Sequence, residues 1–243
     1  MYLLRLSGAV VPHAVVLIPE IAGRWADATG AIRLELAALG DKAGSSDAIV
    51  VISPHSARDC VYGSAEGTLE QIGPRFAMGA PETDGSLRDE LAELWGRPVE
   101  REPADHGVTV PLHLMGRVAR PVIAVGLANG GDEAAVRDLA SAIEKVAVAH
   151  DIFVMASGHT SAALSPAAPL TLDTDAVSFE RTLTRDLISD AGVLSERAEA
   201  IVAAGGCGAR AFDTFGRLFR GRRARLSAYG SPFGVGYMVA VVS

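Results

Sequence analysis

The sequence predicts an α/β protein: a central, mostly parallel sheet covered by helices on both faces. Three observations carry that expectation. Apolar runs of strand length recur along the chain, stretches with three- and four-residue apolar spacing separate them, and the composition is 49% hydrophobic but only 5% aromatic. Continuous apolar strands are what a sheet buried on two faces requires, and small aliphatic side chains let helices pack closely on it.

In chain order, Ala14–Ile18 reads as the first strand, beginning just after Pro12-His13. Ile32–Leu39 has helical spacing and ends at the turn Gly40-Asp41. Ala48–Ile52 is the second strand. Leu87–Trp95 is a helix that follows the turn signal Pro81 to Gly85. Val122–Leu127 is a strand, Asn129-Gly130-Gly131 a turn, and Glu133–Val148 a helix. Ile152–Met155 is a further strand, and Ser178–Leu187 and Ser195–Ala204 follow as helices after the turn Ser165 to Pro169. The tail Leu226–Val242 is apolar with Gly230, Gly234 and Gly236 inside it, which suits a hairpin or kinked strand. No linker, internal repeat or low-complexity segment divides the chain, and a single core can grow to about 250 residues. Residues 1–243 are therefore expected to form one domain.

Charge and cysteine usage exclude several classes. A net charge of -7 and a pI near 5.4 disfavour a nucleic-acid surface, and the basic run Arg217 to Arg225 reads as a solvated helix end and turn. Two cysteines, Cys60 and Cys207, build no disulfide framework, so a reducing cytoplasm is the simplest compartment. The apolar start, Met1 to Val11, lacks a basic leader, and no run approaches the roughly eighteen apolar residues of a membrane span. Neither nucleic acid nor membrane is expected as a partner.

The histidines carry the chemistry. His55 directly follows one strand run in Val51-Ile52-Ser53-Pro54-His55-Ser56, and His159 follows another in Ala156-Ser157-Gly158-His159. Parallel strands bring their carboxyl ends to one edge, where open α/β sheets bind ligands. His13 sits beside a further strand, so three imidazoles far apart in sequence can converge on one metal ion, although imidazole alone does not choose among iron, copper, zinc and nickel. In Ala104-Asp105-His106-Gly107-Val108-Thr109-Val110-Pro111-Leu112-His113, a helix would place His106 and His113 on one face, with Pro111 in its first turn. Asp105 or His106 could then serve as acid, base or substrate clamp, or Asp105 simply as the helix cap. Cys207 lies in a glycine-rich turn before another helix, whose N-terminus would lower the thiol pKa.

The segments around His13, His55, Asp105-His106 and Ala156-Ser157-Gly158, with the closing Tyr229-Gly230-Ser231-Pro232-Phe233-Gly234-Val235-Gly236-Tyr237, occur in an order and spacing that resembles the class III (LigB-type) extradiol dioxygenases and the related Memo-like proteins. The resemblance covers nearly the whole chain and is most specific at Ser53-Pro54-His55 and in the closing segment. It implies the LigB-like α/β fold and a metal held by His13 and His55. In an oxygenase the metal would be Fe(II) with a catecholic or aminophenolic small-molecule substrate, and His106, His113 or His159 would move protons.

The departures from that pattern are equally specific. Gly206 and Gly230 stand where relatives carry glutamates, and Ala162 stands where they carry an acid/base histidine, while His159 falls three residues earlier. The Memo-like pattern of two histidines and a cysteine survives as His13, His55 and Cys207, a set that also suits copper or zinc and a redox or non-catalytic role. The third ligand would come from Cys207, His159 or an acid the sequence does not reveal. A homodimer is the default assembly, and some relatives pair with a second subunit. A hydrolase built on Cys207 or Ser157 is the third reading, but no Gly-X-Ser-X-Gly elbow is present.

Overall fold

The computed structural model describes residues 5–67, 69, 81–116 and 118–243. The chain runs β1 (Leu6–Val11), a 3-10 turn (Val15–Leu17), α1 (Pro19–Ala22), a 3-10 stretch (Gly23–Thr29), α2 (Gly30–Ala43), β2 (Ala48–Ser56), β3 (Cys60–Tyr62), α3 (Gly85–Trp95) and β4 (Val99–Glu100). It continues through α4 (His106–Met115), β5 (Val122–Ala128), α5 (Glu133–Val146), β6 (Ile152–Ser157), α6 (Thr174–Leu187), α7 (Val193–Glu196), α8 (Ala198–Ala203), α9 (Ala209–Leu218), β7 (Arg225–Gly230) and β8 (Tyr237–Val242).

One sheet holds all eight strands in the order β4-β3-β5-β2-β6-β1-β8-β7. The central four, β5-β2-β6-β1, are parallel, whereas β8 runs antiparallel to β1 and β3 antiparallel to β5. Side chains alternate across the pleat, so each central strand feeds two cores. Val10, Val50, Val125 and Val154 face Leu91 of α3, Leu139 of α5, Leu183 of α6 and Phe212 of α9. Val11, Val51, Ala124 and Met155 face Leu36 of α2 and Val108 of α4. Helices therefore cover both faces, as the apolar runs predict. Among the described residues no helix is long and apolar enough to cross a membrane.

Three expectations need correction. Ala14–Ile18 is not a strand: the place beside β6 belongs to Leu6–Val11, with Val11 opposite Ser157, and the later run folds as the 3-10 turn leading into Pro19 at the start of α1. A short apolar run cannot be assigned by periodicity alone. Ser195–Ala204 is not one helix but two, α7 and α8, which break at Arg197, where φ is -116° and ψ 19°. Pro111 lies inside α4 rather than in its first turn, because the helix begins at His106. The tail does form the expected hairpin, β7 with β8, including a register shift between Leu226 and Ala228.

Candidate metal centre

His55 and His159, expected at strand ends, reach the same sheet edge, and His13 joins them there from the end of β1 rather than beside the run that sequence suggested. His13 stands two residues beyond β1, and His159 two beyond β6, its parallel neighbour. His55 is the penultimate residue of β2, where a bulge intervenes: Ser53 pairs with Gly126 and Ser56 with Ala128, so three steps on β2 match two on β5. The additional residue sits at Pro54-His55 and re-aims the strand end, a common use of a bulge beside a site.

His13 and His55 meet directly. His13 Nε2 and His55 Nε2 are 2.9 Å apart, and Cys207 Sγ lies 3.4 Å from His13 Nε2. One donor atom from each of His13, His55 and Cys207 falls within a group whose members lie within 4.8 Å of one another. Metal bonds of about 2.0–2.1 Å to imidazole and about 2.3 Å to thiolate fit that spread, so these three side chains could hold a metal ion. His13 Nδ1 meets Ser157 Oγ at 2.8 Å. In the tautomer whose Nδ1–H donates to that oxygen, Nε2 keeps its lone pair toward the site, the usual second contact of a ligating imidazole.

The second strand-end loop completes the geometry. Residues after β6 lie beside the turn before α9, joined by Ala162 N–H to Ala204 O at 3.0 Å and Gly208 N–H to His159 O at 3.2 Å. A side chain on Gly158 would collide with Gly208, so the missing Cβ is what permits the approach. His159 Nδ1 is 2.9 Å from Cys207 Sγ, and its Nε2 is 3.2 Å from Gly205 O. His159 thus contacts the thiol rather than the histidine pair. His106, the first residue of α4, stacks on His55 with ring centroids 4.3 Å apart and meets His13 edge-on at 5.2 Å.

Electrostatics favour neutral imidazoles. Burial, reinforced by His55, His106 and His159, holds His13 well below its ordinary pKa. Burial and His106 bring His55 to about 4 despite the opposing pull of Asp105. Burial also lowers His106 and His159, against Asp105 and the Gly205 carbonyl respectively. Near neutrality all four are in the form that ligates metal. Cys207 reverses the expectation of a lowered thiol pKa: burial pushes it up to about 12. Desolvation of the thiolate outweighs the backbone hydrogen bond at His159 and any pull from the start of α9.

Two cavities flank this cluster, and His55 and His106 line both. The first, about 560 Å³, is walled by His13, His159, Val15, Val16, Ala162, Leu170, Val235 and Tyr237, with no Asp, Glu, Lys or Arg among its described lining residues. The second, about 540 Å³, is polar and includes Tyr62, Arg58, Glu100 and Asp105. Asp105 is occupied: it caps α4 by accepting from Gly107 N–H at 2.7 Å, and it accepts from Ser53 Oγ at 2.5 Å and Tyr62 Oη at 2.7 Å. His113 does not line either cavity; it lies near the far end of α4.

Gly206, Gly230 and Ala162 differ in their surroundings. A Cβ on Gly206 would come within 2.5 Å of Ile201 Cγ2 and Thr160 O, so no side chain fits there. Gly230 ends the edge strand β7 and lines neither cavity, while Ala162 contributes only a methyl group to the apolar one. Two buried polar residues near the site had no role in the sequence reading that matches their place in the structure. Ser157 was weighed only as a nucleophile, although it orients His13. Glu180 is 2% exposed and accepts from Thr160 Oγ1 at 2.6 Å; burial raises its pKa despite hydrogen bonds from Thr160 and Tyr229. Its signal was a carboxylate inside the stripe Ala176, Leu183, Leu187, but it lines neither cavity.

No family model and no curated protein matches this chain. Among solved structures it is similar to the uncharacterized protein JW3007 from Escherichia coli K12, with a TM-score of 0.65 and 16% identity over 98% of this chain and 99% of that one. At that identity the likeness speaks for the fold alone, and it supports the arrangement of the sheet over the full length of the chain.

Proposed function

We propose that the chain is a metal-binding relative of the LigB-type and Memo-like proteins, holding one transition-metal ion on His13 Nε2, His55 Nε2 and Cys207 Sγ. A small uncharged organic molecule would occupy the apolar cavity beside it. The observation that carries this reading is the convergence of the three donor atoms within 4.8 Å. Two imidazoles and a soft thiolate suit copper or zinc, with Fe(II) the ion an oxygenase would use. When bound, such an ion supplies Lewis acidity or a redox couple at the cavity floor.

The chain's own groups divide the remaining work. Ser157 fixes the His13 ring. The Cys207 thiol is protonated near neutrality, so ligation requires it to release a proton, and His159 Nδ1 at 2.9 Å is placed to accept it and, its own pKa being lowered by burial, pass it to solvent. Val15, Val16, Leu170 and Val235 exclude water and offer no charge to a carboxylate or phosphate. His106, on the cavity wall, can exchange a proton with a bound hydroxyl.

Ring cleavage of simple catechols should be weak or absent. The glutamate position is sterically closed at Gly206, Asp105 is held by three donors, and Ala162 carries no proton. Loss of a positioned base alone commonly costs about 10²–10⁴ in rate. The test loads the protein anaerobically with Fe(II), adds catechols and aminophenols, admits air, and records the yellow ring-opened product. Little or no colour above the protein-free control is expected. Turnover typical of an ordinary enzyme, abolished by His55→Ala, would contradict this reading and favour the oxygenase.

A further inference from the structure

Behind the proposed ligands lies an ion pair that the metal reading does not use. Asp59 sits four residues after His55 and Arg210 three after Cys207, and their guanidinium and carboxylate meet at 2.7 and 3.1 Å. Both side chains are largely buried, at 16% exposure for Arg210 and 12% for Asp59. The same guanidinium donates to Ala128 O at 2.5 Å and to Asp132 O at 2.9 Å. Asp59 in turn accepts from Ala128 N–H at 2.8 Å. A side chain on Gly131 would collide with the guanidinium, so the turn after β5 is shaped to admit it.

This placement is costly by itself. Arg210 is the second residue of α9, where the helix dipole disfavours a cation, and its Nε is buried without a hydrogen-bond partner. Burial also opposes ionisation of Asp59, yet Arg210 and the Ala128 amide outweigh it and hold the carboxyl below its usual range. A largely buried, bidentate pair of this kind fixes geometry more than it adds stability. The two elements it joins are the loop leading from His55 and the helix following Cys207.

We propose that Arg210 and Asp59 are positioning residues, a strut that sets the separation of His55 from Cys207 and so makes the third ligand available. The inference rests on the metal reading above for its consequence and on the strut's own geometry for its existence. Removing the strut lets the start of α9 and the loop after β2 drift apart, loosening the seat of the thiol without deleting a ligand.

The test compares wild type, Arg210→Gln, Asp59→Asn, the double variant, the conservative Arg210→Lys, and Glu196→Gln, which breaks the exposed Arg220–Glu196 pair. Two readouts are taken: the Kd for Zn(II), and the rate at which iodoacetamide alkylates Cys207 in metal-free protein, mapped by peptide. Arg210→Gln and Asp59→Asn should each weaken Zn(II) binding about 10- to 100-fold. They should also speed alkylation several-fold, and the double variant should add little to either single one. Arg210→Lys should recover part of both effects, and Glu196→Gln should change neither. A lowered melting temperature with unchanged alkylation would overturn the strut, whether or not zinc binds. Absence of zinc binding by wild type would overturn the metal reading alone, leaving alkylation to decide the strut; faster alkylation with unchanged Kd in a wild type that binds zinc would overturn the link between them.

Discussion

The two edges of the parallel strands carry polar groups of opposite disposition. At the amino edge they satisfy one another: Asp47 N–H donates to Asp151 O at 2.7 Å, Asp151 N–H to Asp47 Oδ2 at 2.8 Å, and Arg222 Nη1 to Leu6 O at 2.8 Å. At the carboxyl edge, four imidazoles crowd beside two cavities, all lowered in pKa by burial. One edge is closed through backbone contacts, and the other gathers imidazoles whose ring nitrogens meet Ser157 Oγ, one another and Cys207 Sγ. Of the four only His13 is fully buried, and desolvating imidazoles together costs stability whenever they charge.

Substitutions should separate the two edges. His13→Ala should weaken metal binding on the order of 10³-fold, since complete sites of four ligands are worth about 10–16 kcal/mol, while leaving the melting temperature of the metal-free protein little changed or raised. Titration and calorimetry of the same sample check both halves. The body of the fold should behave in reverse. Leu139→Ala, in a fully buried position on α5, should cost about 2–5 kcal/mol in denaturant unfolding yet keep the metal stoichiometry.

How far the sequence revealed this arrangement follows from the same contrast. β2, β5 and β6 are continuous apolar runs and were legible. β1 was not, because its run contains Ser7 and Gly8; a Cβ on Gly8 would collide with Val154 O and press on Phe215 at 3.0 Å and Phe219 at 3.1 Å. Close packing demanded the small residue that weakens the pattern. His55 and His159 were legible as residues that end strand runs, whereas His13 was read beside a run that is not a strand, and the grouping of His13 and His55 with Cys207 came from the resemblance alone. Ser157 as an orienter and Arg210 with Asp59 were not, since the latter pair is separated by 151 residues and no local period links them. The thiol's raised pKa was misjudged because the burial that sets it comes from tertiary packing.

The pH dependence sharpens the contrast further. Burial pushes the thiol up to about 12, and it must release one proton to ligate, whereas burial lowers all four imidazoles, His55 to about 4, and leaves them already neutral at pH 7. Metal affinity should therefore rise about tenfold per pH unit between pH 7 and 9, measured with a competing chelator of known pH response. Metal-free stability should show the opposite edge of this window. Folded-state histidine pKa values lie below the unfolded value of 6.5, so their contribution is complete above pH 6.5 and is lost as pH falls toward about 4. A melting temperature that stays level across that interval would contradict burial of neutral imidazoles. The smallest effect in the site is expected from Ser157→Ala, which leaves His13 in place and should lower metal affinity about 10- to 100-fold. At the amino edge, Asp47→Asn should change stability by about 1 kcal/mol and metal affinity not at all.

The most direct test of the central claim is a titration of metal-free protein with Co(II), followed by the thiolate-to-cobalt charge-transfer absorption, for wild type, Cys207→Ser and His55→Ala. The account predicts saturation at one ion per chain in wild type, loss of the thiolate band in Cys207→Ser, and sharply weakened binding in His55→Ala. Absence of saturable binding, or a Cys207→Ser spectrum and affinity that match wild type, would contradict it.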